Sequence, residues 1–599
     1  MKNSIIVFLV SVLLLTLSCG GPSPDIQGTL TVWHPMTLNF EGPETKELSH
    51  DPNPFLDYRL QVLFTGPGGQ IYDVPGYYAG DGKGQGTGNI WQVIFAPDQA
   101  GTWTFEAQFR RGKEIAIQLD PNAGEPVMFD GVSGNLVIAP LDEQAAGFLK
   151  WGRLEYVGLH YLKFRDGSYW IKGGTDSPEN FLGYSGFDHT VDQGGKPDGA
   201  PFLHDYSFHV RHWQEGDPDW NNGAGKGIIG ALNYLASQEV NSIYFLPMNL
   251  GGDGQETFPF VQAEKTHFNK THYDISKLYQ WGIVLDHAQN KGIKCHVVLA
   301  ETEKPNETWL DDGNLGIERK LFFRELVARF GHLLALKWNL SEENDFTVEQ
   351  LREQAAYIQA VDPYNHPICV HTHPNNFQDY QEIVGNEMFT TTSIQYKPDL
   401  AAEHVREWRQ KSAEAGLPWV LDMDENNPAG TGLTDTNADD LRKRVLYDVY
   451  FNGGEIEWYC GYHARPPENI GGDLTLEDFR TREAMWTFMR FARRFMQEHL
   501  PFWEMQPMPA LLSGESDAFD GGSVFARPGE IYAVYLPQAD PSGILDLSDA
   551  SGELQCRWFN PRTGEFQGPA RTLQAGSAIE LGAPPDEPKE DWVVLIKKD

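Results

Sequence analysis

Residues 232–249 read LNYLASQEVNSIYFLPMN, an amphipathic helical pattern followed directly by a short apolar run that ends in polar residues. The same order returns at 278–303, LYQWGIVLDHAQNKGIKCHVVLAETE, and at 318–344, ERKLFFRELVARFGHLLALKWNLSEEN. Apolar strands that alternate with helices of this length predict βαβ units and a parallel sheet.

Further strand candidates continue this rhythm on both sides of the three segments. They lie at 169–181, 366–374, 391–397, 417–427 and 453–463. Eight strands within about 300 residues are typical of a (β/α)8 TIM barrel, which we predict for residues 150–505. A doubly wound sheet is the alternative, but no GxGxxG or GxxxxGK[ST] loop follows any of these strands.

Period-two alternation flanks the predicted barrel. YRLQVLF at 58–64 and TWTFEAQF at 102–109 each place their apolar residues on one face, and EIYAVYLP at 530–537 is strand-like as well. Glycine- and proline-rich segments supply turns between such runs. We therefore predict an immunoglobulin-like β-sandwich at 27–140 and a second β-sandwich at 510–599.

The chain opens with MKNSIIVFLVSVLLLTLSC, in which an apolar run of about 13 residues is too short to span a bilayer. This leader, residues 1–19, resembles a bacterial lipoprotein signal peptide, which implies that Cys19 is diacylated and becomes the mature N-terminus. Thr16 departs from that pattern, since Leu is usual there. We expect an extracytoplasmic protein that is lipid-anchored to the outer membrane, on its cell-surface or periplasmic face, and ordinary secretion is the alternative.

Composition excludes one class of partner. The 599 residues carry 47 Lys and Arg against 84 Asp and Glu, a formal net charge of −37, so the surface would repel the phosphates of nucleic acids. A hydrophobic content of 40% is enough for real cores. Four cysteines beyond the leader show no metal-binding spacing, and buried thiols are the better expectation. The oligomeric state is not indicated.

Polar residues follow the ends of the predicted strands, where the active sites of barrels lie. Carboxyl groups dominate this set, and amides, histidines and aromatic residues accompany them. In strand order the candidates are Asp176, Glu179, Asn180, Asn249, Glu301, Glu342, His371, His373, Gln395, Asp424, Glu425, Glu457, Trp458 and Tyr459.

These residue types suit a carbohydrate. Aromatic faces stack on pyranose rings, and amide, imidazole and carboxylate groups bind hydroxyls. Glycosidic hydrolysis needs one protonated and one ionised carboxyl group across the scissile bond, and close carboxylates keep a proton between them. His371 and His373 share a strand face, but no third metal ligand is specified, so we expect neither metal nor cofactor. The sequence contains no GxSxG motif, so an esterase is not indicated.

Long segments carry a family resemblance. They are WHPMTLNFEGPET, KGGTDSPENFLGY, GKGIIGALNYLASQEVNSIYFLPMNLGGDG and ERKLFFRELVARFGHLLALKWNLSEEN. The chain resembles a bacterial family described as "putative glycoside hydrolases". The resemblance implies an N-terminal immunoglobulin-like domain of unknown function, an apiosidase-like (β/α)8 barrel and a C-terminal domain labelled "putative collagen-binding". It covers nearly the whole mature chain and does not supply a substrate.

The resemblance to retaining barrel hydrolases implies the catalytic pair. Their acid/base Glu follows strand four in an Asn-Glu-Pro motif, and their nucleophile Glu follows strand seven. Here SEEN aligns Glu342 with the acid/base, but Ser341 replaces Asn and Glu343 is a competitor. VLDMDEN offers Glu425 as the nucleophile with Asp424 beside it, and adjacent strand residues face opposite ways, so only one should enter the site.

Two functions follow from this reading. The first is a glycoside hydrolase that cleaves a poly- or oligosaccharide by a two-carboxylate, retaining mechanism, with Glu342 and Glu425 as the pair. The alternative is a surface glycan-binding lipoprotein with a degenerate barrel, for which the departure of SEEN from the family motif is the reason. The sugar, its linkage and endo or exo action are not encoded in any motif.

Overall fold

The computed structural model describes residues 23–192, 203–264, 267–303, 305–426, 432–461 and 472–598. The predicted leader and Cys19 lie outside the described residues, and so the lipid anchor stays a prediction. Within the described ranges, none of the helices is long and apolar enough to cross a membrane. The four described cysteines are buried and unpaired, as expected.

All eight predicted strands form one parallel sheet. Their order in the sheet is β5-β4-β3-β2-β1-β8-β7-β6, which is the sequential order of a (β/α)8 barrel. The strands are β1 (Gly173–Thr175), β2 (Ser242–Phe245), β3 (Lys294–Val298), β4 (Leu336–Asn339), β5 (Ile368–Cys369), β6 (Ile394–Gln395), β7 (Asp422–Glu425) and β8 (Glu455–Trp458).

The barrel differs from the prediction at one seam. β5 and β6 are two residues long and form the edges of the sheet. Just beyond them the chain makes a single parallel bridge, His371 to Ser393, in place of a ladder. The described strands therefore confirm a TIM-like fold without a continuous hydrogen-bonded closure between β5 and β6.

A helix follows every strand in the described part of the barrel. The helices are α1 (Lys226–Ser237), α2 (Ile275–Asn290), α3 (Ile317–Phe330), α4 (Val348–Val361), α5 (Gln378–Ile383), α6 (Pro398–Glu414), α7 (Ala438–Leu441, continued by a π-helical turn at Arg442–Leu446 and by Tyr447–Phe451) and α8 (Glu483–His499). Thr347 caps α4 with a capping box, and Asp274 caps α2. The carboxyl ends of the strands therefore meet on one face.

Two antiparallel sheets form the N-terminal part. One contains Asp25–Gly28, Met36–Lys46, Thr87–Phe95 and Tyr77–Tyr78; the other contains Ile71–Pro75, Tyr58–Thr65, Gly101–Arg111, Glu125–Pro126 and Ser133–Ile138. Phe64 and Phe95, from different sheets, stack with ring centroids 4.2 Å apart. The predicted inward-facing residues of this part, such as Val62 and Trp103, are buried.

The C-terminal part is also sheet-rich. Its six-stranded sheet contains Gln506–Pro507, Ser523–Arg527, Ile531–Leu536, Trp592–Lys597, Glu553–Asn560 and Glu565–Gln574, and its three-stranded sheet contains Leu512–Glu515, Ser542–Asp546 and Ala578–Glu580. The first strands of the two terminal parts begin slightly before the predicted limits of 27 and 510. Both are short edge strands without alternation, which the period-two pattern cannot reveal. The limits of the three domains stay predictions.

Buried arginines join the barrel to both flanking parts. Arg442, on α7, donates from Nε and Nη2 to the carboxylate of Asp591 at 2.9 and 3.0 Å, and both side chains are fully buried. On the other side, Arg324 and Arg329 of α3 donate to backbone carbonyls of the N-terminal sheets. The bidentate contact between Arg442 and Asp591 fixes the orientation of the two groups as well as their distance.

Charged residues fill the middle of the barrel. We call Lys172, Lys337, Asp422, Asp424, Glu457 and His296 the interior charge layer. The Lys337 ammonium lies 2.6 Å from Asp422 and 3.4 Å from Asp424, and all three side chains are buried. Burial opposes ionisation, but the charges of Lys172 and Lys337 hold the pKa of the Asp422 carboxyl well below its usual range.

Candidate active site

Carboxyl groups gather above the interior charge layer, at the carboxyl ends of the strands. They come from the segments that follow β1, β3, β4 and β8 and from the last residue of β7. We call this set the carboxyl cluster: Asp176, Glu179, Glu301, Glu342, Glu425 and Asp473. All six are buried, with Glu342 the most exposed at 9%.

Three members of the cluster are in direct proximity. One carboxylate oxygen each of Glu179, Glu301 and Glu342 lies within 4.8 Å of the other two. A parallel bridge joins the backbones of Glu301 and Glu342, and the Glu179 side chain hydrogen-bonds with those of Glu342 and Asp473. A hydrogen bond between two carboxyl groups requires a shared proton. The same three oxygens also have the donor type and spacing that a divalent cation takes.

Burial and mutual repulsion favour the protonated forms. Burial raises the pKa of Glu342 well above its ordinary value, and the neighbouring charges of Glu303 and Glu343 raise it further. The pKa of Glu179 is raised in the same way by burial and by Asp473 and Glu342. The cluster therefore holds protons at pH values where exposed carboxyl groups are ionised.

Glu425 is placed opposite the strand-four carboxyl groups. Burial raises its pKa well above the usual range, and the charges of Glu343 and Glu342 add to this effect. A hydrogen bond from Gln395 favours its ionised form, and the same amide donates to Glu343 Oε1 at 2.9 Å. Nε2 of His371 lies 3.7 Å from Glu425 Oε2. Burial lowers the pKa of His371 to about 4, so this imidazole is neutral near pH 7.

The two adjacent glutamates after β4 have different surroundings. Glu342 is buried, and its Oε2 has no hydrogen-bond partner among the described residues. The Glu343 side chain is 25% exposed, has a backbone φ of 41°, and is engaged by Gln395 and approached by His373. Burial therefore favours the protonated form of Glu342, whereas Glu343 is partly exposed and accepts a hydrogen bond from Gln395.

Several buried polar atoms of the site have no hydrogen-bond partner in the described part of the chain. They are Asp176 Oδ1, Tyr244 Oη, Glu301 Oε1, Glu342 Oε2, His371 Nε2, Gln395 Oε1 and Asp473 Oδ1. Leaving such atoms unpaired costs free energy, about 1–3 kcal/mol each, unless a ligand pairs with them. They belong to carboxyl, hydroxyl, imidazole and amide groups, which together can accept from and donate to the hydroxyl groups of a ligand.

Asp424 and Glu457 do not lie with the cluster. Asp424 pairs with Lys172 and Lys337, while Glu457 accepts from His296 Nδ1 at 2.8 Å and from the Ser242 hydroxyl. Both side chains are fully buried in the interior charge layer. In place of the predicted contact with substrate, the structure gives them ion pairs below the site, which hold the strands that carry Glu425 and Tyr459.

The remaining predicted residues divide between the site and its supports. Asn180 contacts Glu256 and accepts from His204 at 2.9 Å, and Asn249 accepts from the backbone of Thr257 at 2.9 Å, so both amides brace loops.

Three others lie closer to the site or its edge. Tyr459 hydrogen-bonds with Asp473 and so touches the cluster. Trp458 is fully buried in the core, and His373 lies at the rim, 3.2 Å from Asp345.

Two residues of the site were not among the candidates. Asp473 begins a 3-10 turn after β8, and only its position in a Gly-flanked loop could have suggested it. Tyr244 lies within β2, where an apolar run reads as plain core, yet its hydroxyl is buried beside Glu342 and Asp176. Side chains that point up the barrel axis from inside a strand give no sequence signal of their own.

Gly252 leaves the space in which Glu301 lies. A Cβ atom built on this glycine would overlap the Glu301 carboxylate. We expect Gly252→Ala to displace that carboxylate and to lower kcat/KM by about tenfold or more, because small misplacements of site groups are costly. Gly282→Ala on α2, where the added atom would meet only Phe330 at 4.0 Å, is the matched control. Equal kinetics in the two variants would contradict this account.

Comparisons with known proteins agree with the three-part organisation. Residues 29–110 match a domain of unknown function (DUF5060), and residues 511–597 match the "putative collagen-binding domain of a collagenase". None of the curated proteins matches the sequence.

Two solved structures share the fold. One is a "putative glycoside hydrolase" from Bacteroides vulgatus ATCC 8482, with 15% identity, a TM-score of 0.63 and coverage of 96% of this chain and 100% of that one. The other is a glycoside hydrolase family 5 protein from the same organism, with 14% identity, a TM-score of 0.54 and coverage of 76% and 94%. The chain thus combines a DUF5060 segment and a segment similar to a collagen-binding domain with a central fold like that of glycoside hydrolases, as the resemblance implied.

Proposed function

We propose that this protein is a glycoside hydrolase that cleaves a poly- or oligosaccharide with Glu342 and Glu425. The observation that carries the proposal is the buried carboxyl cluster at the carboxyl ends of the barrel strands, in which the charge of Glu342 raises the pKa of Glu425. Such a cluster costs stability, and a two-carboxylate reaction is the chemistry that uses it. The fold similarity to glycoside hydrolases is consistent with this.

The two carboxyl groups take different roles because their surroundings differ. Glu342, held among Glu179 and Glu301, keeps its proton and donates it to the departing glycosidic oxygen. Glu425 accepts a hydrogen bond from Gln395 that favours its ionised form, and it attacks the anomeric carbon. Water then attacks the glycosyl-enzyme ester, Glu342 takes the proton from that water, and Glu425 leaves as a carboxylate.

Product stereochemistry tests the retaining form of this mechanism. Proton NMR spectra of the first turnovers should show the new reducing end with the anomeric configuration of the cleaved bond. The opposite anomer would indicate a single displacement by water and would remove the nucleophile role from Glu425. The appearance of no reducing ends with any polysaccharide would sink the hydrolase proposal itself.

The pH dependence follows from the directions of the pKa shifts. Activity needs an ionised Glu425, so it falls as pH drops through the pKa of Glu425; it also needs a protonated Glu342, so it falls as pH rises through the pKa of Glu342. Because both pKa values are raised, both limbs of the kcat/KM profile should lie above pH 4.5. Glu343→Gln, which removes a neighbouring charge from both Glu425 and Glu342, should move both limbs to lower pH.

One observation favours a binding protein as the second candidate. Ser341 occupies the place where the related motif has Asn, and its hydroxyl donates to Glu307 Oε1 at 2.7 Å. It therefore does not point to a ligand in the way that the Asn amide does. Retardation by a polysaccharide in native gels, without any new reducing ends in the same samples, would favour binding alone.

A further inference from the structure

A cavity lies at the opposite end of the barrel from the carboxyl cluster. Its volume is about 790 Å³, within the range of about 300–1,000 Å³ that small-molecule sites occupy. Val240 and Asn241, which precede β2, and Gly292, which precedes β3, line it. These positions place the cavity at the amino-terminal ends of the strands, where the proposed reaction has no part.

Aromatic rings form much of its wall. The rings of Tyr169 and Trp503 stack with centroids 4.8 Å apart and planes 8° from parallel. Trp151, at the end of the short helix Phe148–Trp151, is 39% exposed and packs its ring against Phe164 at 5.5 Å. Large aromatic residues bury well in protein cores, so partly exposed rings around one cavity point to a ligand that packs on them.

These rings also present polar hydrogens. None of Trp151 Nε1, Tyr169 Oη and Trp503 Nε1 donates a hydrogen bond to another atom in the described part of the chain. A purely apolar ligand, such as a lipid tail, would bury these donors without partners, at a cost of about 1–3 kcal/mol each. The ligand must therefore combine a flat C–H face with acceptor oxygens.

The rim of the cavity is polar and mixed in charge. Lys291 lies 3.8 Å from Asp217, Glu239 is paired with Arg494, and Gln497 is exposed. The guanidinium of Arg493, which also lines the cavity, donates to the backbone carbonyls of Ile171 and Glu239, so each of these charged groups already has a partner within the protein. An uncharged ligand rich in hydroxyls fits this balance.

We propose that this cavity is a second saccharide-binding site, which holds one or two sugar rings of a neutral polysaccharide away from the reaction. The pyranose C–H face packs on the rings of Trp151 and Trp503, and the indole and phenol hydrogens donate to hydroxyl oxygens. The choice of a saccharide over other hydroxyl-rich ligands rests on the proposed function. The site would hold the enzyme on a polymer while the carboxyl cluster acts on another segment.

The test uses the Glu425→Gln chain, so that no polymer is cleaved during the measurement. Native gels containing pullulan, glucomannan, mixed-linkage β-glucan or arabinogalactan report retardation by each polysaccharide. We expect retardation in at least one gel, and Trp151→Ala and Trp503→Ala should each weaken the apparent Kd by about tenfold. Tyr279→Ala, at an exposed aromatic residue outside this cavity, should change nothing.

A conservative variant distinguishes loss of binding from loss of folding. Trp503→Ala removes a stacked ring, whereas Tyr169→Phe keeps the stack and removes one donor, so it should weaken the Kd by a smaller factor. Equal retardation of all variants, equal weakening by the Tyr279→Ala control, or no retardation in any gel would overturn the proposal. Binding that is lost in Trp151→Ala and Trp503→Ala, together with no release of reducing ends by the unsubstituted protein, would support the site and reject the hydrolase.

Discussion

Replacing Glu342 by Gln should lower kcat on a polysaccharide by about 10²- to 10⁴-fold, because general acid catalysis contributes this much. The loss should shrink on aryl glycosides such as p-nitrophenyl glycosides, whose leaving group departs without a proton. Glu425→Gln should cost at least as much on both substrates, since no glycosyl-enzyme ester can form. Rates of reducing-end and nitrophenol release measure the two losses separately.

The neighbouring residue supplies the control for this pair. Glu343→Gln keeps the size and polarity of a side chain only one position away and should retain most of the activity near the optimum pH. Thermal unfolding should be nearly unchanged in Glu342→Gln and Glu425→Gln, because an amide keeps the volume of the side chain and its ability to form hydrogen bonds. If Glu343→Gln were the inactive variant, the acid would be Glu343 and our assignment within SEEN would fail.

Lys337→Met should cause a large loss of stability. The ammonium of Lys337 is fully buried, lies 2.6 Å from Asp422, and donates to the Thr392 carbonyl at 2.8 Å. Its removal leaves buried carboxylates with too little positive charge, a situation that costs about 3–5 kcal/mol. Urea unfolding followed by tryptophan fluorescence would report the lower midpoint.

A second Lys→Met substitution calibrates this effect. Lys411 on α6 pairs with Glu407 at the surface, with 42% of its side chain exposed, so Lys411→Met should change the free energy of unfolding by less than about 1 kcal/mol. Adding Asp422→Asn to Lys337→Met should recover part of the loss, because the unpaired charge is then gone. A similar stability for Lys337→Met and Lys411→Met would refute the role of the interior charge layer.

The order of the barrel was predictable because it depends on local patterns. Each strand is an apolar run with a helix behind it, and right-handed connections place sequential strands side by side. The seam between β5 and β6 was not predictable, since the length of these two strands depends on how far they stay in register with each other. That register is set by side chains packed from both faces of the sheet.

The site was only partly readable for a related reason. Strand ends identify which residues reach the carboxyl face, and Glu342, Glu301 and Glu425 were found in this way. Whether a strand-end carboxylate is free or paired depends on partners far away in the chain. Asp424 is paired because Lys172 and Lys337 reach it across the barrel, and no spacing in the sequence announces a contact over 252 and 87 positions.

The alternation rule worked where the chain is regular. Asp424 and Glu425 are adjacent in β7, and the structure gives them different surroundings, the first among lysines and the second within the carboxyl cluster. The rule could not rank Glu342 against Glu343, because these residues follow β4 in a turn where φ is positive at Glu343. Burial, which only the folded chain defines, separates them.

The buried contact between Arg442 and Asp591 limits what the last domain can do. A binding module on a flexible linker explores a large volume and brings its enzyme to sites at variable distances. Here the guanidinium is locked into a carboxylate of the C-terminal part, and Tyr535 of that part stacks on Tyr447 of α7 with centroids 5.0 Å apart. The C-terminal part therefore has a fixed orientation relative to the barrel and cannot move independently of it. Separating the two by cutting the chain would expose a buried surface of the barrel rather than release an independent module.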